Sequence, residues 1–193
     1  MPMELHKLGC KLFLETGTDI DLLEFIPVFH RWIQTKALKD LMIDVADYSH
    51  VYAGPGILLI AHEGDYGIDE TGNQRGIAYH RKQPVDGDLP ERLTQACAKT
   101  LQAARLLEQS PEFADRLRFR GDRLHVLAND RLNAPNTDET WTAFEPALKA
   151  FLSKLYPGVE CTLERETDPK ALFAVTIQAS EPTGIDTLLD RLA

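Results

Sequence analysis

The sequence predicts an α+β fold: a mixed, antiparallel-rich sheet covered mainly on one face by about three helices. Three observations lead there. Many short segments alternate apolar and polar residues with period two, the mark of half-buried strands. Short turns rich in Gly, Asn and Asp join several of them, which makes hairpins rather than parallel crossovers. Three longer segments carry an apolar stripe at helical spacing. Hairpins mixed with helices exclude a purely parallel doubly wound sheet.

Taken in order, residues 5–15 alternate at Leu8, Cys10, Leu12 and Leu14 and predict a strand. Asp19 and Asp21 offer N-caps for a helix over 20–35, with Phe25, Phe29 and Trp32 on its stripe. Pro27 inside it predicts a kink or a fresh start. Residues 41–46 predict a strand, and Gly54-Pro55-Gly56 closes the loop after it. Residues 57–69 predict one long strand, apolar first and acidic later. Thr71 to Gln74 turns the chain, and 76–82 returns as its hairpin partner. Asp88 and Glu91 form a capping box around Pro90, starting a helix over 89–109. Residues 116–120 and 123–130 predict a strand pair turning at Gly121-Asp122. A helix over 138–155 follows, capped by Asn136 or Thr137 and ended by Pro157-Gly158. Strands over 159–165 and 172–179 and a short terminal helix over 184–192 complete the chain.

One domain over 1–193 accommodates all of this. An offset of 119 residues aligns His6 with His125, Asp19 with Asp138, Phe25 with Phe144 and Pro27 with Pro146. The element order fits two β-α-β-β-α halves, over 1–110 and 116–193, and the order weighs more than the few matching letters.

Composition bounds the function. Hydrophobic residues make 44% and charged residues 26%, so the chain is neither disordered nor fibrous. Without an apolar run of about 18 residues or a secretory leader, the expectation is a soluble, cytoplasmic protein. The net charge of −9 argues against nucleic acid, which demands a positive surface. That charge is uneven: residues 1–70 carry 5 basic and 12 acidic side chains, 71–136 carry 11 and 8, and 137–193 carry 5 and 10. A basic middle between acidic ends either meets an anionic small molecule or a second copy, or is simply a solvated surface. Cys10, Cys97 and Cys161 lack metal or redox spacing and read as small buried hydrophobes. The phosphate-loop, dinucleotide, zinc-protease and nucleophile-elbow motifs are all missing from the sequence.

Three constellations remain. The densest runs from Tyr48 and His50 through Gly54 and Gly56 to His62, Glu63, Asp65 and Asp69. His50, in a loop, suits an acid or base, with Tyr48, His62 and Glu63 as its catalytic partners. His62 also reads as a half-buried histidine that continues the face of Leu58 and Ile60. Glu63, Asp65 and Asp69 on one strand face suit a hard divalent cation, or a solvated edge that resists aggregation. Gly54 and Gly56 allow amides to approach an anion, or simply make a corner. In the second constellation, Arg116, Arg118 and Arg120 form a period-two row for a phosphate or carboxylate, or a solvated outer face. In the third, Asn129 and Arg131 stand in a polar run, up to Asn136, that either binds a ligand or caps turns. No cofactor is implied.

The runs G-P-G-I-L-L-I-A-H-E-G-D-Y (Gly54 to Tyr66), F-I-P-V-F-H-R-W-I-Q (Phe25 to Gln34) and N-D-R-L-N-A-P-N (Asn129 to Asn136) resemble a family of uncharacterised bacterial proteins of about this length. That resemblance covers most of the chain and implies a free-standing bacterial protein. It brings no activity, cofactor or site residue with it. Two function classes stay open: a non-catalytic binding or homo-oligomeric assembly module, and a small-molecule enzyme or ligand-binding protein centred on residues 48–66.

Overall fold

Strand β1 (Leu8–Leu14) shows how the architecture is made. Leu8, Cys10, Leu12 and Leu14 point to one side and join the main core. Gly9, Lys11 and Phe13 point to the other side by the period-two rule. The same alternation repeats in β2 (Met42–Tyr48), β3 (Gly56–Ala61), β4 (Gly64–Asp69), β5 (Gly76–Arg81), β6 (Phe119–Ala128), β7 (Cys161–Arg165) and β8 (Phe173–Ala179). In this computed structural model, which describes residues 4–193, all eight belong to one sheet ordered β2-β3-β4-β5-β1-β6-β8-β7. Residues 1–3 of the predicted domain lie outside the described residues.

Every strand pairing is antiparallel, so the sheet is not mixed. The helices α1 (Phe25–Thr35), α2 (Leu89–Glu108), α3 (Asp138–Leu155) and α4 (Ile185–Leu192) cover one face. Helix α2 lies at the centre, against β1 and β5 on one side and α3 and α4 on the other. Its capping box is formed as expected, with Asp88 accepting from Glu91 N and Glu91 from Asp88 N. Thr100 Oγ1 donates to Cys10 O at 3.0 Å, and the buried thiols of Cys10 and Cys97 lie 2.8 Å apart. Cys10 and Cys97 are therefore core residues that form no disulfide, whereas Cys161 is free and only half-buried at the margin of the core, not fully buried as expected. Pro27 falls in the first turn of α1, where its missing N–H has no helical partner to lose. Among the described residues, no helix is long and apolar enough to cross a membrane.

Two expectations are corrected. Residues 57–69 form a hairpin, β3 and β4, turning at His62-Glu63. One strand of that length would span about 43 Å and overrun its neighbours, so the chain folds back and buries Tyr66 beside Leu59. Conversely, 119–128 is one strand without a turn at Gly121. A side chain there would meet Thr183 O at 1.6 Å, so this glycine serves the close passage of the chain leading to α4.

The second half runs β-α-β-β-α, whereas the first runs β-α-β-β-β-β-α, with four strands between its helices instead of two. Each half places its first strand at the middle of the sheet and its last strand beside it. β1 and β6 are thereby brought together, with Lys11 directly opposite His125.

Candidate functional site

The face without helices holds the site. Cross-strand register sets Lys11 between Ala78 of β5 and His125 of β6, and His125 opposite Thr176 of β8. One residue pair further along, Gly9 lies between His80 and Leu127. The turn after β4 and the loop joining β7 to β8 rise at the sides, contributing Asp69, Gln74, Glu166 and Leu172. Together they enclose a cavity of about 550 Å³. Its wall is mostly apolar, through Phe13, Ala78, Leu127, Ala171, Leu172 and Ala174, with a few convergent polar groups. That composition is the usual one for a small-molecule site.

Lys11 is buried and its Nζ sits 2.5 Å from Asp69 Oδ1. Asp69 is held in turn by Thr71, through N at 3.1 Å and Oγ1 at 2.8 Å. Burial pushes the Lys11 amine below its ordinary pKa, and Asp69 only partly offsets this. The lysine reaches Asp69 by crossing β5 over Gly76. A Cβ there would lie 3.1 Å from Lys11 Cε and 2.3 Å from Leu12 O.

The two histidines are neutral at physiological pH. Burial first, then the positive charge of Lys11, pushes His125 down to about 4. Its Nδ1 lies 3.0 Å from Thr176 Oγ1, which leaves Nε2 for a ligand. His80 is also lowered by burial. Its ring lies over Gly9, where an added Cβ would come within 2.5 Å of Nδ1. Glycine at that position lets the imidazole lie flat on the sheet. The site therefore offers two uncharged imidazoles, each able to donate or accept, beside a charge-balanced amine and carboxylate.

Of the residues singled out from the sequence, Asp69 and Asn129 line this cavity. The others lie elsewhere. His50 lies in the β2–β3 loop and His62 in the turn after β3, so the length of β3, about 17 Å by strand rise, lies between them and they form no catalytic pair. His62 is exposed in the β3–β4 turn, not half-buried, and Glu63 stands beside it. Tyr48 is exposed and its ring stacks on His50 with centroids 6.3 Å apart. Gly54 and Gly56 make a corner: Gly54 O accepts from Glu70 N at 3.0 Å, and Gly56 has φ +62 with Ile68 O filling its side-chain position.

Glu63, Asp65 and Asp69 do not converge. Asp65 pairs with Lys82 at 2.7 Å and Asp69 with Lys11. Among the described residues no group of three His, Cys, Asp or Glu is arranged to hold a metal ion.

The arginine row also dissolves. Arg116 and Arg118 precede β6, and each arginine has its own acceptor: Arg116 on Glu24 at 2.6 Å, Arg118 on Asp115 at 3.2 Å, Arg120 on Asp122 at 2.9 Å. Two of these acceptors are local and one, Glu24, comes from a distant segment, and together they defeat the period-two reading. Arg131 is exposed and donates to Lys170 O. Asn136 Nδ2 holds Glu166 O and Asp168 O, while Thr137 caps α3.

A second polar cluster lies under the helices. Asp40 is buried, receives the Tyr66 hydroxyl, and pairs with Lys99 Nζ at 2.5 Å. Burial would raise Asp40, but the Lys99 and Tyr66 hydrogen bonds outweigh it and hold the carboxyl below its ordinary value. This network ties β4 to α2 and the α1–β2 loop.

No protein-family model, curated protein or solved structure matches the chain. The functional reading therefore stands on the site's own geometry.

Proposed function

We propose that the protein binds a small, largely apolar organic molecule on the helix-free face of its sheet. The ligand takes one or two hydrogen bonds from His80 and His125. The observation that carries this reading is the convergence of two neutral imidazoles and the Lys11–Asp69 pair on one apolar cavity of about 550 Å³. Uncharged imidazoles in an apolar wall favour an uncharged ligand carrying a hydroxyl, carbonyl or amide. The site thus differs from the 48–66 centre and from an arginine-held anion.

A thermal-shift screen with small hydroxylated and carbonyl compounds tests it. A ligand present at 100 times its Kd stabilises the folded state by about 2.7 kcal/mol. In a chain of this size that raises Tm by about 5–10 °C. Ala171→Trp, at the rim of the cavity, should abolish the shift. Shifts that survive it would move the site elsewhere.

A second reading, a homo-oligomer, is favoured by one observation. Exposed large hydrophobics concentrate at and around edge strand β2: Leu41, Ile43, Tyr48, Val51 and Tyr52. An unpaired antiparallel edge can join a second copy of itself about a two-fold axis. Light scattering should then give twice the monomer mass, and Ile43→Lys should return it to one chain. A monomer at high protein concentration would end this reading.

A further inference from the structure

On the helix-covered side, β5 carries a charge that has no ion-pair partner among the described residues. Arg81 is 7% exposed. Its Nε is buried with no hydrogen-bond partner, and among the described residues no carboxylate comes within ion-pair range of its guanidinium. Its one defined contact is the face of the Tyr79 ring, 5.8 Å from Cζ to centroid. A buried donor of a cation left without a partner is costly, so such groups are nearly always satisfied.

The guanidinium opens onto a groove of about 770 Å³ between the end of β5, the loop leading to α2, and α2 itself. Arg92, Gln95 and Lys99 share the helix face that lines it, at i, i+3 and i+7. His6 and His62 stand at its edge. Its carboxylates are Glu63, drawn to Lys99 at 3.8 Å, and Asp86. Lys99 is already neutralised by Asp40, and Arg92 by Glu4 at 3.3 Å, although Arg92 Nε too is buried without a partner. Among the described residues Arg81 is therefore the groove cation with no carboxylate in ion-pair range, and its planar fork of donors matches two oxygens of one anion.

We propose that this groove binds an oxyanion, the phosphate or carboxylate group of a small molecule, through Arg81. The site is separate from the helix-free cavity: His80 and Arg81 are successive residues of β5 and face opposite sides of the sheet.

Titration calorimetry of the whole protein with inorganic phosphate and, separately, succinate at constant ionic strength tests it. The expected result is saturable binding of at least one anion, weakened at least tenfold in Arg81→Met. Gln95→Glu, a half-buried helix position at the groove wall, should weaken it similarly by placing a carboxylate beside the fork. Circular dichroism confirms that both variants are folded. If Arg81→Met does not fold, Gln95→Glu alone decides. Phosphate without succinate, or the reverse, identifies the group. Heat from neither anion, or binding unchanged in the folded variants, overturns the proposal.

Discussion

At the scale of single residues, the site depends on one histidine that stays neutral and on two glycines. His125 cannot hold a proton at neutral pH, since burial and Lys11 bring it down to about 4. In the unfolded chain it titrates near 6.5. Below that value the unfolded state takes up protons that the folded state refuses. Stability is thus complete above about pH 6.5 and declines as pH falls toward 4, by about 3 kcal/mol from this residue. Urea unfolding across that range should show the decline in the wild type and a flatter profile in His125→Gln. Equal slopes would mean that His125 is not buried as described.

Gly9 and Gly76 act through the side chain they lack. Gly9→Ala should push the His80 ring into the cavity and weaken ligand binding about tenfold with little loss of stability. Gly76→Ala meets backbone at 2.3 Å as well as the lysine stem, so it should cost about 2–3 kcal/mol and lower Tm accordingly.

These residues were only partly legible in the sequence. Lys11 is a lone polar residue on an apolar strand, His80 adjoins Arg81 on β5, and His125 follows Arg120, Asp122 and Arg123 on β6, so each reads as an outward-facing position. Nothing local says that strands 114 residues apart pair side by side and set Lys11 opposite His125. Asp69 and Asn129 were legible because they stand at strand ends, where polar residues cluster.

At the scale of elements, local rules succeeded where one signal dominated. The Asp88–Glu91 box starts α2 as read, and Phe25, Phe29 and Trp32 of the α1 stripe are buried as read. Asp88→Ala should cost about 1 kcal/mol, seen as a fall in Tm of about 2–4 °C. Local rules failed where a turn carried no glycine-rich mark. The His62-Glu63 turn sits inside a run of continuous hydrophobicity and charge, so β3 and β4 read as one strand. The opposite error arose at Gly121, a glycine placed for close packing, which read as a turn. The arginine row failed for a related reason: Glu24, the partner of Arg116, comes from a distant segment, and Asp115 and Asp122 take up Arg118 and Arg120 locally.

At the scale of the whole molecule, eight antiparallel strands with all helices on one side leave one face free for a ligand. The fold class was legible because strand and helix periods differ and hairpins exclude parallel order. The strand order was not, since it follows from burial against α2 rather than from neighbours in sequence. The central claim is that the free face is the binding surface. Amide chemical-shift mapping, with compounds that raise Tm, tests it most directly. The account predicts that the shifted amides are those of Gly9, Lys11, His80, His125 and Thr176, and that Ala171→Trp silences them. Perturbations confined to the β2 edge or to the loop around His50, with those five amides unmoved, would contradict it.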